Sequence, residues 1–222
     1  MKKNIVITGE NRGIGLALVQ QYITNGDAVF AVCRNRSAEL DAITQVSVIE
    51  GIDTVSTQDL HDLRDSLNGI NIDVLINNAG VLSEEILGQI DYQRVEQQFK
   101  VNAMGPLRTT EMLIGNLQKG SKVAFISSRM GSISDNGSGG SYGYRMSKAA
   151  LNAAAASLAI DLKAKGVAVG LLHPGFVQTS LVDFQGNLET SEAAELLEKR
   201  IQEISLENTG SFRHSNGENL PW

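Results

Sequence analysis

The chain alternates short apolar runs with longer segments of helical period, and this alternation constrains its fold more than any other feature. Six runs have the length of strands: Asn4–Thr8, Ala28–Cys33, Val46–Glu50, Val74–Asn77, Lys122–Ser127 and Val167–His173. Most are apolar throughout, which is typical of parallel strands covered on both faces. The segments between them predict helices at Gly13–Thr24, Gln58–Leu67, Tyr92–Leu117 and Tyr144–Lys165. Because right-handed crossovers place helices on both faces, the pattern predicts an α/β fold with a doubly wound parallel sheet.

Length and composition favour one domain over residues 1–222. The chain has 222 residues, of which 42% are hydrophobic, and we find no internal repeat or linker that would divide it. Its net charge of -6 argues against a nucleic-acid partner, and no apolar stretch is long enough to span a membrane. With a single cysteine, Cys33, and no signal-peptide pattern at the start, we expect a reduced, soluble, cytoplasmic protein.

A glycine-rich turn follows the first strand and opens a helix. It reads Thr8-Gly9-Glu10-Asn11-Arg12-Gly13-Ile14-Gly15. In a dinucleotide site Gly9 permits the tight turn, Gly13 lets the backbone approach a pyrophosphate, and Gly15 lets helix and strand pack closely. A glycine pattern alone is a weak signal, since an ordinary strand-to-helix turn can share it. Its place after the first strand of an α/β fold favours the nucleotide interpretation.

The end of the second strand indicates which dinucleotide is bound. An NAD site has an acidic residue there to bind the ribose 2′-hydroxyl, whereas this chain has Arg34 and a second arginine, Arg12, in the glycine turn. Two guanidinium groups at one place suit a 2′-phosphate, and each charge-assisted bond contributes roughly 1.5–3 kcal/mol. The alternative is a pair of solvated surface arginines. We expect NADP(H).

A tyrosine and a lysine lie four positions apart on the last long helical segment. At this spacing Tyr144 and Lys148 share one face of the helix. A free tyrosine has a pKa near 10, and a neighbouring ammonium group favours the phenolate; a pKa near 7 would need roughly 4 kcal/mol. The pair alone is a weak signal because this spacing is common. Tyr142 has Met146 at the same spacing, so the chain offers no competing pair here.

Five motifs, taken in order, resemble those of the short-chain dehydrogenase/reductase family. They are Thr8–Gly15, Asn77–Gly80, Ser127-Ser128, Tyr144 with Lys148, and Pro174-Gly175. The segment Tyr144–Asn152 and the Pro221-Trp222 end resemble the C-factor-like, carbonyl-reductase branch. The resemblance covers essentially the whole chain and implies a Rossmann-type oxidoreductase. The reaction it implies is hydride transfer between the nicotinamide of NADP(H) and a small carbonyl or alcohol substrate.

The resemblance implies four catalytic residues. Tyr144 would donate and accept the proton, and Lys148 would also hold the nicotinamide ribose hydroxyls. Ser128 would hydrogen-bond the substrate carbonyl oxygen; Ser127 is a rival, but neighbouring strand residues point to opposite faces, so only one can serve. Asn102 would order a water in the proton relay to Lys148. The alternative for Asn102 is a polar residue at a proline-induced helix break.

The resemblance also implies a set of cofactor-binding residues. The segment 77–80 would close over the adenosine side, Asp53 would reach the adenine amino group, and Thr179 would hold the carboxamide. Asp53 and Thr179 have the alternative role of helix caps. The full predicted set is Thr8, Gly9, Asn11, Arg12, Gly13, Ile14, Gly15, Arg34, Asp53, Asn78, Ala79, Gly80, Lys148, Pro174, Gly175, Val177 and Thr179. No metal site is predicted, and we assign no chemistry to His173.

Two loops shape the expected substrate site. The interval from Ser128 to Tyr144 is longer than is common in the family, because a glycine-rich loop at Ser134–Ser141 intervenes. A lid is expected at about residues 175–195, where the apolar residues are Phe176, Leu181, Val182 and Phe184. An alternative function is a redox-sensing or signalling protein that binds NADP(H) with little turnover; a structural scaffold is a weaker one.

The helix that carries Tyr144 predicts self-association. From Ala149 to Ile160 it has no charged residue, and its residues are small or apolar all round. A helix that covers a sheet needs only one apolar stripe, so a second buried face is implied. The family resemblance agrees, since members commonly pair through this helix and the one before it. We expect a homodimer or tetramer; the alternative is a monomer with an alanine-rich surface.

Overall fold

The predicted strands form one parallel sheet, to which a seventh strand is added at one edge. The computed structural model describes residues 2–222. Its strands are β1 (Asn4–Thr8), β2 (Ala28–Val32), β3 (Val46–Ile49), β4 (Ile72–Asn77), β5 (Leu117–Ile126), β6 (Ala168–His173) and β7 (Ser211–His214). The strand order is β3-β2-β1-β4-β5-β6-β7, and every neighbouring pair is parallel. This confirms the doubly wound α/β fold.

Seven α-helices cover the two faces of this sheet. They are α1 (Gly13–Thr24), α2 (Ala38–Asp41), α3 (Thr57–Ser66), α4 (Tyr92–Phe99), α5 (Gly105–Met112), α6 (Tyr142–Lys163) and α7 (Thr190–Glu203). Side chains of α3, α5 and α6 enter the core on one face, and side chains of α1 and α7 enter the core on the other.

The side chains of consecutive strand residues pack into the cores on opposite faces of the sheet. In β1, Val6 belongs to the core under α3 and α6, whereas Ile5 and Ile7 belong to the core under α1 and α7. In β5, Phe125 and Ala124 divide in the same way. Because side chains alternate across a strand and both faces are covered, each position must be apolar. This is the physical reason for the uninterrupted apolar runs.

The single helix expected over Tyr92–Leu117 is wrong. The chain forms α4, then a π-helical turn at Lys100–Met104, then α5, which ends at Met112. Residues 113–116 make a turn, in which Asn116 donates its side-chain amide to the carbonyls of Leu67 and Ile70 at 2.8 and 2.9 Å. Leu117 instead begins β5 and pairs with Ile72. The spacing of apolar residues in this segment could not distinguish two helices joined by a π-helical turn from one longer helix.

The remaining differences concern element ends and short elements. Compared with the predicted bounds, β2 and β3 each end one residue earlier, β4 begins two residues earlier, and β6 begins one residue later. Helix α3 begins and ends one residue earlier than predicted, and α6 begins at Tyr142 and ends at Lys163, two residues earlier at each end. Strand β7 was not predicted because it is four residues long and only Phe212 in it is buried. It is held by pairing with β6, which is a tertiary interaction.

The carboxyl ends of the parallel strands meet at one edge of the sheet. The segments that follow the first six strands carry most of the predicted site residues, and this edge is where open α/β sheets bind ligands. Within residues 2–222, no helix is long and apolar enough to cross a membrane. The same residues contain no cluster of three or more His, Cys, Asp or Glu side chains that could hold a metal ion.

Candidate active site

A cleft of ≈ 310 Å³ lies at the carboxyl edge of the sheet. It is bounded by the glycine turn after β1, the ends of β2 and β3, the segment after β4 and the loop after β6. Twelve of the predicted cofactor-binding residues line it: Gly9, Asn11, Arg12, Gly13, Ile14, Gly15, Arg34, Asp53, Asn78, Ala79, Gly80 and Thr179. Residues separated by up to 170 positions in sequence are therefore brought to one surface.

The glycine turn packs directly on the segment after β4. Gly9 has φ +71°, and a Cβ there would lie 2.6 Å from the Ala79 Cα; a Cβ on Gly15 would clash with the Gly9 carbonyl oxygen. The Asn78 side-chain amide donates to the carbonyls of Thr8 and Gly9 at 3.1 and 2.8 Å. These positions admit no side chain, so the backbone N–H groups at the start of α1 face the cleft.

Thr8 lies behind the cleft rather than in its lining. It is buried, and its hydroxyl oxygen accepts hydrogen bonds from the backbone N–H groups of Asn78 and Ala79 at 3.2 and 3.3 Å. Thr8 therefore joins the ends of β1 and β4. Any effect that Thr8 has on a ligand comes through the position of the segment after β4, which lines the cleft.

Arg12 and Arg34 both line the cleft and are exposed. Within residues 2–222 neither of them forms an ion pair. Arg36 differs, because its guanidinium lies 3.1 Å from Glu50 and 3.3 Å from Asp41. Two uncompensated guanidinium groups thus flank the cleft where β2 ends, next to the glycine turn.

Nine residues that line the cleft were not predicted to bind the cofactor. They are Val32, Cys33, Asn35, Ile52, Thr54, Val81, Val101, Ser180 and Leu181. The first four of these lie at or just after the ends of β2 and β3, so the rule that ligands bind beyond strand carboxyl ends would have found them. Asp53 lies between Ile52 and Thr54 in this wall, and its carboxylate accepts a hydrogen bond from the Val55 N–H at 3.1 Å.

Tyr144 and Lys148 are buried on one face of α6, 8% and 4% exposed. The Lys148 Nζ lies 5.8 Å from the centre of the Tyr144 ring and donates a hydrogen bond to the Ile126 carbonyl at 2.8 Å. Ile126 ends β5. Helix α6 and the end of β5 therefore hold the phenol and the ammonium group together.

Burial dominates the ionisation of both groups. It raises the pKa of Tyr144 to about 12, and the neighbouring Ser128 hydroxyl opposes this only in part. It lowers the pKa of Lys148 to about 8. In the protein alone, burial and not Lys148 determines the direction in which the pKa of Tyr144 moves. At neutral pH Tyr144 therefore carries its proton.

Ser127 and Ser128 have different surroundings. The Ser127 hydroxyl donates to the Asn152 Oδ1 at 2.6 Å, inside the interface between β5 and α6. The Ser128 hydroxyl interacts with Tyr144 and accepts a hydrogen bond from the Met130 N–H at 3.2 Å. Only Ser128 is thus adjacent to the phenol.

Asn102 lies in the π-helical turn, and its side chain bridges two elements. Its Oδ1 accepts from the Val81 N–H at 2.8 Å, while its Nδ2 donates to the Val81 carbonyl at 2.8 Å and to the Ser147 hydroxyl at 3.0 Å. A Cβ on Gly80 would lie 3.4 Å from this Oδ1 and 3.8 Å from the Lys148 Nζ. Asn102 and Lys148 therefore converge at Gly80, which lines the cleft. The π-helical turn that carries Asn102 agrees with a functional role, since such turns are frequent at functional sites.

The loop after β6 forms one side of the cleft mouth. Thr179 lines the cleft, and its Cγ2 would lie 3.3 Å from a Cβ on Gly13. Pro174, Gly175 and Val177 shape the base of the loop without lining the cleft: Gly175 has φ +95°, and Val177 forms a bridge with Leu188. The expected lid thus runs from residue 175 to 189, and residues 190–195 are the first turns of α7.

This fold and this site together define a nucleotide-dependent oxidoreductase of the Rossmann type. A family model described as short chain dehydrogenase matches residues 3–189. The chain belongs to the short-chain dehydrogenase family.

Three similar proteins refine this assignment. The chain is 38% identical over 224 residues to 1-hydroxy-2-glutathionyl-2-methyl-3-butene dehydrogenase of Rhodococcus sp. (strain AD45), covering 98% of this chain and 99% of that protein. It is 42% identical over 154 residues to C-signal of Myxococcus xanthus, covering 68% and 93%. The structure of a carbonyl reductase from Pseudomonas aeruginosa PAO1 in complex with NADP superposes with a TM-score of 0.87 at 31% identity, covering 100% of both chains.

The lowered pKa of Lys148 predicts how the stability of the fold depends on pH. Because the unfolded chain binds this proton more tightly than the folded chain, the buried charge destabilises the fold fully below pH 8, and this penalty disappears as pH rises from 8 to 10.5. Lys148→Met removes the charge. The variant should therefore be more stable than the parent, and its excess free energy of unfolding should be larger at pH 7 than at pH 10 by about 2–3 kcal/mol.

Urea denaturation at the two pH values measures this difference. Lys163→Met is the matched control, since Lys163 is an exposed lysine on the same helix and should show no such change. Equal pH dependence in both variants would contradict a charge-destabilising site at Lys148.

Proposed function

We propose that the protein is an NADP(H)-dependent carbonyl reductase, which transfers a hydride between the nicotinamide and a small carbonyl or alcohol substrate. The observation that carries this proposal is the convergence of a protonated, buried Tyr144 with Ser128 and Lys148 beside the cleft. Structural relatives described as carbonyl reductases support the reaction class.

The residues of the cleft fit a dinucleotide with a 2′-phosphate. Backbone positions where a Cβ cannot fit form a cradle at the start of α1, and the uncompensated Arg12 and Arg34 lie beside it. The cradle suits a pyrophosphate, and the two guanidinium groups suit a further phosphate. Asp53 and the segment 78–80 would hold the adenosine side, and Thr179 the carboxamide. When bound, the cofactor supplies or receives the hydride.

The protein's own residues then handle the substrate oxygen and its proton. Ser128 would hold the carbonyl oxygen within reach of Tyr144 and orient it. Tyr144, kept protonated by burial, would donate its proton to that oxygen, which suits reduction at neutral pH. The ammonium group of Lys148 would stabilise the phenolate left behind and hold the ribose hydroxyls. Asn102 would keep the segment after β4 in register with Lys148.

Substitution of the proton donor tests the chemistry. Tyr144→Phe removes only the hydroxyl, so turnover should fall by roughly 10²–10⁴-fold, as is typical when a general acid is lost. Cofactor affinity should change little. The measurement is loss of NADPH absorbance with a panel of aldehydes, ketones and quinones.

Tyr142→Phe is the control for this experiment. Tyr142 is the first residue of the same helix and has no expected role in proton transfer. Full turnover by a correctly folded Tyr144→Phe protein would refute the mechanism.

Substitution of the two arginines tests the cofactor. Replacing Arg12 and Arg34 by alanine should weaken NADPH binding about 10–100-fold. Each charge-assisted hydrogen bond contributes about 1.5–3 kcal/mol when it is fully formed, and solvent reduces this contribution at an exposed site. NADH binding should change little. Fluorescence titration measures both affinities.

Arg36→Ala supplies the matched control, because Arg36 lies next to the cleft but is engaged by Glu50 and Asp41. A parent protein that binds NADH as tightly as NADPH would show that the 2′-phosphate assignment is wrong.

The residues at the cleft mouth favour a small substrate with an apolar part. Phe176, Leu181 and Phe184 are exposed on the loop after β6, where they would cover an apolar part of a small substrate. Asp183 and Phe184 both have positive φ, which makes this loop conformationally unusual for non-glycine residues. We propose that the loop acts as a lid.

A second candidate function is a signalling protein that binds NADP(H) and turns over little. The relative named C-signal favours it. The buried Tyr144, Lys148 and Ser128 favour the enzyme, since a binder has no need of a proton donor. Turnover with the carbonyl panel distinguishes the two.

We further propose that the chain pairs with a second copy through α6 and the helices before it. Phe99, Met104 and Leu107 are large apolar residues exposed on the segment from α4 to α5. Ile160 on α6 is 76% exposed, and α4 packs against α6. A second copy would remove these apolar groups from water.

Light scattering at micromolar concentration should give at least twice the 23.9 kDa chain mass. Ile160→Glu should shift the protein toward monomer, because a charge would then be buried without a partner. Ile133→Glu is the control, since Ile133 is 82% exposed on the loop after β5, outside this face. A parent mass near 24 kDa would refute the pairing.

A further inference from the structure

A carboxyl group is buried beneath the glycine turn. Glu10 is 0% exposed, and neither of its carboxyl oxygens has a hydrogen-bond partner within residues 2–222. Glu10 does not itself line the cleft, but its neighbours Gly9 and Asn11 do. A buried ionised carboxylate without a partner is strongly unfavourable, so this position demands an explanation.

The surroundings of Glu10 connect it to the arginine side of the cleft. The Cys33 thiol and the backbone at Val32 lie beside its carboxyl group, beyond hydrogen-bond distance. Cys33 is buried, lines the cleft and directly precedes Arg34. The carboxyl group therefore lies behind the part of the cleft wall that Cys33 forms, directly before Arg34.

Burial determines the charge of this group. It raises the pKa of Glu10 to about 8, and the nearby backbone and Cys33 thiol offset this only in part. The carboxyl group is thus neutral at neutral pH and ionises just above it. Burial also raises the pKa of Cys33 to about 12, so the thiol does not titrate in this range.

The other charged groups around this wall do not compete for the role. Arg12 on the same turn and Arg34 after β2 are exposed cations. Arg36 is paired with Glu50, after β3, and with Asp41 of α2. The segment after β4, Asn78–Gly80, contains no titratable side chain.

We propose that Glu10 is a specificity-determining residue that couples proton binding to recognition of the 2′-phosphate in the cleft. The inference rests on the proposed NADP(H) site. In its neutral form Glu10 leaves the field of Arg12 and Arg34 available to the phosphate. When ionised, it adds a negative charge behind the wall that Cys33 forms and opposes binding of the phosphate there.

Thermodynamic linkage gives the sign of the effect. A bound phosphate disfavours ionisation of Glu10, so the complex retains the proton to higher pH than the free protein does. Binding then takes up a proton near pH 8, and affinity falls as pH rises through the pKa of the free protein. A ligand that lacks the 2′-phosphate should show little of this dependence.

The experiment uses two probes that differ only in this group, adenosine 2′,5′-bisphosphate and AMP. Their affinities for the parent, Glu10→Gln and Glu10→Ala are measured calorimetrically at pH 7 and 9.5. The parent should bind the bisphosphate roughly tenfold more weakly at pH 9.5, a coupling of ordinary size. Both variants should show no such loss, and AMP affinity should vary little in all three proteins.

Proton uptake provides an independent readout. Titration at pH 8 in two buffers with different ionisation enthalpies should show that the parent takes up a fraction of a proton with the bisphosphate, and that the variants take up none. Two variants are used because Gln introduces an amide that needs partners, whereas Ala removes the polar group. Thermal unfolding verifies that each variant is folded.

The outcomes separate the two proposals. If the parent binds the bisphosphate no better than AMP at pH 7, the NADP(H) assignment fails. If it binds the bisphosphate better, but both variants lose affinity with pH as the parent does, Glu10 is not the coupled group. An equal loss for AMP in the parent would also overturn the inference, because Glu10 would then act on the turn rather than on the phosphate.

Discussion

At the end of β1 the main chain of the glycine turn passes so close to the segment after β4 that no side chain fits between them. A Cβ on Gly9 would lie 2.6 Å from the Ala79 Cα, and the Asn78 amide ties the two segments together at 2.8 Å. This contact sets where α1 begins and therefore where its free N–H groups point. The shape of the cleft at the start of α1 depends on it.

The site also confines ionisable groups in places where water cannot stabilise their charge. Tyr144 stays protonated and Lys148 is destabilised in its charged form, both through burial. Glu10, beneath the turn at the other end of the cleft, stays neutral for the same reason. Perturbed ionisation of this kind is common at functional sites, because groups poised near neutral pH respond to small changes of charge. A protonated Tyr144 suits protonation of a carbonyl oxygen more than deprotonation of an alcohol.

Sequence patterns predicted the strands well because each one is covered on both faces. Val6 and Phe125 had to be apolar for one core, and Ile5 and Ala124 for the other, so the runs were unmistakable. The same reasoning failed between residues 92 and 117, where a π-helical turn and the Asn116 turn interrupt the helix. It missed β7, whose few apolar residues are held in the sheet by β6. Non-local pairing leaves no local period.

The sequence by itself determined the fold class, the family and the residue types of the site, since spacing and glycine positions are local properties. Strand alternation could show that only one of Ser127 and Ser128 serves, but only the packing of α6 on β5 shows the Ser127 hydroxyl bonded to Asn152. The tertiary structure alone decided the ionisation of Tyr144 and Lys148 and the burial of Glu10. The reason is that a pKa depends on how completely water is excluded around a group, and distant segments that pack together exclude it.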